Sequence, residues 1–91
     1  MIQISVEVEN RLGLHARAAA KLVQTASRFS SDIHLSRADA NQRIDSKSIL
    51  GILMLAASKG TCLAFSIEGS DEAEAEKAIR GLFRSKFGER E

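Results

Sequence analysis

Residues 1–29 read MIQISVEVENRLGLHARAAAKLVQTASRF, and the fold turns on a change of period inside this stretch. Ile2, Ile4, Val6 and Val8 alternate with Gln3, Ser5, Glu7 and Glu9, which predicts a half-buried strand with one face in water. Asn10-Arg11-Leu12-Gly13 breaks the alternation, and Gly13 suits a tight loop. From His15 or Ala16 the period becomes helical: Ala19, Leu22, Val23, Ala26 and Phe29 share one face, and a run of alanines adds helix propensity. This helix should fray near Ser30-Ser31.

Outward from there, Ile33 and Leu35 mark a second strand with His34 on its wet side, free of any role. Arg37 to Gln42 is a polar turn, and Arg43-Ile44-Asp45 a short third strand paired with the second. A second helix runs from Ile49 to about Ala57, capped by Ser48 and ended by Gly60. Leu63, Phe65 and Ile67 make a fourth strand. A third helix follows Gly69-Ser70, with Ser70 as its cap, Asp71 and Glu72 at its positive end and Ala75, Ala78, Ile79, Leu82 and Phe83 as its buried stripe. The order β-α-β-β-α-β-α predicts an α+β fold of two layers, a four-stranded antiparallel sheet with three helices on one face.

Length and composition narrow the function. Ninety-one residues predict a single domain over 1–91 without a deep interdomain cleft, which favours a carrier or binding module over a self-sufficient enzyme. A net charge of +1 and four aromatic residues, all Phe, argue against a nucleic-acid partner. No stretch is long enough for membrane insertion, and no basic leader precedes the first strand, so the cytoplasm is the expected location. The lone Cys62 is an exposed spectator in a reducing compartment. His15 and His34 lie far apart with no matching carboxylates, so neither a metal nor a cofactor is expected.

Two loop-to-helix entries carry the chemistry. His15 opens the first helix, where unpaired N–H groups of Ala16, Arg17 and Ala18 and the positive dipole end would hold an anion. The same field favours the neutral, nucleophilic imidazole, and Arg17 supplies a charge-assisted donor. Covalent phosphoryl transfer fits this set; a plain helix cap fits it too. Ser48 opens the second helix. That helix, Ile49 to Ala57, is apolar nearly all round, so part of it must be exposed as a contact patch, pack as core or form a homodimer contact.

Val8 through Ala20, with Gly13-Leu14-His15-Ala16-Arg17 at its heart, resembles the active-centre signature of the HPr family. These are the histidine phosphocarriers of the bacterial phosphoenolpyruvate-dependent phosphotransferase system. Lys47-Ser48-Ile49-Leu50-Gly51 resembles the family's second signature, around a regulatory serine, and Gly60 to Glu72 resembles its last strand and exit turn. The resemblance implies the open-faced β-sandwich and a monomer. It implies that His15 takes the phosphoryl group on Nδ1 from enzyme I and passes it to an enzyme IIA for sugar uptake, with Arg17 neutralising the phosphate. It implies a partner surface of Ala16, Ala20, Ile49, Leu50 and Leu53. In Gram-positive members a kinase (HPr kinase/phosphorylase) phosphorylates the serine matching Ser48; a cap alone would equally explain that residue. Alternatives are an NPr-type regulatory carrier of the nitrogen-related branch, towards which the Gly81–Phe87 tail leans, and a non-catalytic HPr-like corepressor. The chain departs from the family where Ala18 stands in place of a frequent proline, and in a slightly longer stretch between the two signatures. Ser46 is not the signature serine.

Overall fold

The computed structural model describes residues 1–89. Its elements are β1 (Ile2–Glu7), α1 (Ala16–Ser27), β2 (Asp32–Arg37), β3 (Ile44–Asp45), α2 (Ile49–Met54), β4 (Cys62–Glu68) and α3 (Glu72–Arg84), followed by a short turn at Lys86–Gly88. The four strands form one antiparallel sheet in the order β1-β4-β2-β3. Register explains the layering. Ile4 pairs with Phe65, Phe65 with Leu35 and Leu35 with Ile44, so one apolar row crosses the whole sheet. The adjacent row, Ile2, Ile67 and Ile33, repeats it.

The helices cover this apolar face. Ala18, Ala19, Leu22 and Ala26 of α1, Ile52 of α2 and Ala75, Ile79 and Phe83 of α3 are buried with the strand residues in one core. The rings of Phe65, Phe83 and Phe87 stack edge to face in series, with centroids 5.6 and 4.9 Å apart. Opposite-phase residues such as Ser5, Ala64 and Cys62 stand on the open face; Cys62 is exposed. No helix among the described residues is long and apolar enough to cross a membrane.

Four local expectations change. α2 stops at Met54 rather than near Ala57, and Ala56 (φ 51°) is the left-handed residue just past its end, while Gly60 (φ 92°) turns the chain later, before β4. Tertiary bonds hold this exit: Arg37 Nη1 donates to the Leu55 and Ala56 carbonyls at 3.1 and 3.4 Å, and the Leu14 amide donates to the Ala57 carbonyl. Arg37 therefore ends β2 instead of starting a free turn. Ser70 does not cap α3. Asp71 holds that position with its carboxylate turned away to Ser30 and Ser31, while Glu72 accepts from the Gly69 amide at 3.1 Å. His34 is half-buried on the open face rather than fully exposed, its Nδ1 accepting from Arg43 Nη2 at 3.2 Å across the β2–β3 hairpin.

Candidate functional site

The loop before α1 is pinned before it delivers His15. Gly13 has φ 69°, and a Cβ there would lie 2.6 Å from the Ala57 carbonyl oxygen, so only glycine fits. Its amide donates to the Asn10 carbonyl, and the next residue, Leu14, is buried and donates to Ala57 at 2.8 Å. His15 then enters α1 as its cap residue, in extended conformation (φ −75°, ψ −179°). Its carbonyl accepts from Ala19 and its ring Nδ1 accepts from the Arg17 amide at 3.3 Å. Ring and helix terminus are thus joined through Nδ1. Among the described residues the Ala16 and Ala18 amides have no acceptor; Ala16 is exposed, so its donor stays open beside that nitrogen, whereas Ala18 is wholly buried.

The other ring nitrogen meets a residue that the sequence did not bring forward. Nε2 lies 2.7 Å from Oε2 of Glu89, and His15 keeps 29 % of its side chain exposed. Asn10 Nδ2 donates to Glu89 Oε1 at 3.1 Å and to the Gly13 carbonyl at 2.8 Å. The Asn10 Oδ1 atom is buried without a partner among the described residues, so the two Nδ2 bonds alone set the amide's orientation. Burial pushes the Glu89 carboxyl up, but hydrogen bonds from His15 and Asn10, with the charges of His15 and Lys21, outweigh it and hold the group below the usual range. The sequence signal, Gly88 after the apolar Phe87, marks a chain reversal but not its direction. His15 is thus covered on its Nε2 edge by Glu89 and partly open to solvent elsewhere.

Arg17 is exposed, with no side-chain hydrogen bond among the described residues, and is free to reach an anion at the helix terminus. Ala18 is wholly buried, so neither its side chain nor its amide is open to an incoming anion, and of the three expected amide donors it is the one the fold covers.

Ser48 caps α2: it is exposed, and its Oγ accepts from the Gly51 amide at 3.2 Å. Ser46 is buried, donating through both Oγ and N to the Ile33 carbonyl. Lys47 Nζ donates to the Phe29 and Ser31 carbonyls, tying this segment to the chain leaving α1. α2 packs beside α1 and exposes Ile49, Leu50 and Leu53, with Leu50 66 % accessible. Ala16 is exposed and Ala20 half-buried. Met54 (71 % exposed), at the end of α2, and Leu12 (58 %), in the loop before α1, are further exposed apolar residues that the sequence did not single out. Among the described residues no group of three or more His, Cys, Asp or Glu is placed to hold a metal ion.

Residues 2–85 match the family model described as the PTS HPr component phosphorylation site. The phosphocarrier protein HPr of Neisseria meningitidis (serogroup A / serotype 4A) is 47% identical over 91 residues, covering 100% of both chains. The crystal structure of HPr-C-His from Thermoanaerobacter tengcongensis superposes with a TM-score of 0.93 at 47% identity, again over 100% of both chains. A crystal structure of an HPr dimer from the same organism has a TM-score of 0.76 at 48% identity, covering 98% of this chain and 100% of that one.

Proposed function

Because this chain belongs to the HPr family of phosphocarrier proteins, we propose that His15 Nδ1 takes a phosphoryl group from phosphorylated enzyme I and hands it to an enzyme IIA in sugar uptake. A phosphocarrier is a covalent intermediate between two partners rather than a catalyst in its own right. The observation that carries this reading is the placement of Nδ1 at the start of α1, beside the exposed and unengaged Ala16 amide.

Released from the Arg17 amide, the Nδ1 lone pair attacks phosphorus as the bond from phosphorus to the donor's leaving atom breaks, its electron pair staying with the donor. The phosphoryl oxygens then meet the helix N-terminus, and the Arg17 guanidinium swings in as counter-charge. Donor and acceptor each dock over the apolar surface of Ala16, Ala20, Ile49, Leu50 and Leu53. Working as a monomer leaves that surface open to both in turn. In this reading Ser48 serves α2 as its cap, and a phosphate there, bringing about two negative charges, would discourage docking of acidic partners.

The test is incubation with phosphoenolpyruvate, magnesium and a bacterial enzyme I, read by intact mass. An acid-labile phosphoryl group on the wild type, absent from a folded His15→Ala variant, is the expected result. No phosphoryl group with several enzyme I proteins would favour a binding module that does not carry phosphate. Comparing transfer rates to sugar-branch and nitrogen-branch enzyme IIA proteins assigns the branch.

A further inference from the structure

We propose that Glu89 is a positioning residue for phosphoryl transfer: its carboxylate holds the Nε2–H of His15 and so leaves Nδ1 unprotonated, its lone pair engaged only by the Arg17 amide. The inference rests on His15 being the acceptor.

The two ring nitrogens have neighbours of opposite polarity. A carboxylate can only accept, so at 2.7 Å from Glu89 Oε2 the Nε2 atom carries the proton. The Arg17 amide can only donate, so Nδ1 offers its lone pair. Together they select one neutral tautomer, the one with its nucleophilic atom at the helix terminus.

The carboxylate is itself built in. Its Oε1 accepts from Asn10, which is fully buried and also bound to Gly13. The chain reaches the ring through Lys86, Phe87 and Gly88, all left-handed at φ 56°, 58° and 74°. Phe87 is buried against Phe83, and its carbonyl accepts from Lys21 Nζ at 2.6 Å. Two non-glycine residues hold a conformation they resist, and the result of that turn is a carboxylate on His15.

The consequence for the reaction is direct. As Nδ1 forms its bond to phosphorus and the donor bond breaks, positive charge develops on the ring. Nε2 keeps its proton, and the charge is paired with Glu89 at hydrogen-bond distance. When the phosphoryl group leaves to the acceptor, the ring returns to the same neutral tautomer. No proton is exchanged with solvent. The arrangement follows the logic by which a buried carboxylate orients an imidazole in hydrolytic triads.

The test uses the full chain, with ¹⁵N-labelled histidine, as wild type, Glu89→Ala and Glu89→Gln, each checked for folding by circular dichroism. Ring ¹⁵N shifts report the His15 tautomer before any transfer, and rapid quench reports acceptance from phosphorylated enzyme I. Glu89→Ala is expected to accept about tenfold more slowly, as for loss of a partner that orients a histidine ring, and to show both tautomers. Glu89→Gln, whose amide oxygen still accepts from Nε2–H, is expected to restore the tautomer and part of the rate. Unchanged shifts with an unchanged rate overturn the proposal. Faster acceptance by Glu89→Ala also overturns it, making Glu89 a barrier to the donor. If the wild type accepts nothing, the carrier reading falls, while the ¹⁵N comparison still decides what Glu89 does to the ring.

Discussion

The Leu14 amide donates to the Ala57 carbonyl at 2.8 Å, fixing the loop that presents His15 against the chain leaving α2. Gly13 makes the approach possible. A Cβ there would meet the Ala57 oxygen at 2.6 Å and the Ser58 Cα at 2.9 Å, both backbone atoms that cannot turn aside. The Gly13→Ala variant carries the left-handed penalty of about 1–2 kcal/mol as well as this collision. Its urea-unfolding stability should fall by about 2 kcal/mol or more. Phosphoryl acceptance should fall with it, because relief of the clash moves His15. A stability equal to the wild type would mean that the loop has another arrangement of equal energy.

Asp71 links α3 to the chain leaving α1, and this link is sensitive to acid. Hydrogen bonds from the Ser31 hydroxyl and the Ser30 amide hold its carboxyl below the usual 3.8, against a smaller opposing effect of desolvation, and the Ser31 amide adds to them. A folded-state value below the unfolded one stabilises the protein above the unfolded value, and that contribution is lost as pH falls through the folded value. Glu72, lowered by the Gly69 amide and the chain's amino terminus, acts in the same sense. The urea midpoint of the wild type should therefore drop as pH is taken below about 4, and less steeply in Asp71→Asn, which has already lost the charge. Parallel curves for the two proteins would remove Asp71 from the account of acid stability.

What the sequence disclosed and what it hid divide by range. β1 was legible because Ile2, Ile4 and Val6 face the core at every second residue, and α1 because Ala19, Leu22 and Ala26 share a face. The His15 and Ser48 caps were legible because a cap bonds within three residues of itself. The end of α2 was not, since Ala56 is held left-handed by bonds from Arg37 and Leu14, far away in the chain. Ser70 looked like a cap from composition, but Asp71 took the position while its carboxylate served Ser30 and Ser31. Glu89 was hidden for the same reason: 74 residues separate it from His15, and left-handed angles at Lys86–Gly88 have no periodic signature.

Leu50 separates docking from folding. It is 66 % exposed on α2, and its side chain lies outside the buried core. Leu50→Glu should change stability by no more than about 0.5 kcal/mol, as for surface positions. It should raise the enzyme I concentration needed for half-maximal phosphorylation, because an apolar contact is replaced by a charge that must be desolvated. A variant that docks as well as the wild type would move the partner surface away from α2. Met54 and Leu12, also exposed, would be the next positions to change.

Phe87 couples stability to the site without touching it. Its ring is buried, and its centroid is 4.9 Å from that of Phe83, which in turn stacks on Phe65 of β4. Removing so large a buried ring costs about 3–5 kcal/mol in well-packed cores. Here the lower end is expected, because the left-handed turn at Lys86–Gly88 can relax once the ring is gone. Phe87→Ala also frees the left-handed backbone that the buried ring compensates, so Lys21 loses a fixed carbonyl and Glu89 its approach to Nε2. The variant should lose about 3 kcal/mol in urea unfolding and show the mixed His15 tautomers expected of Glu89→Ala, although no residue of the His15 cluster has changed. Loss of stability with an unaltered His15 tautomer would mean that Asn10 alone suffices to hold Glu89 in place, and that the aromatic stack serves the core and not the site.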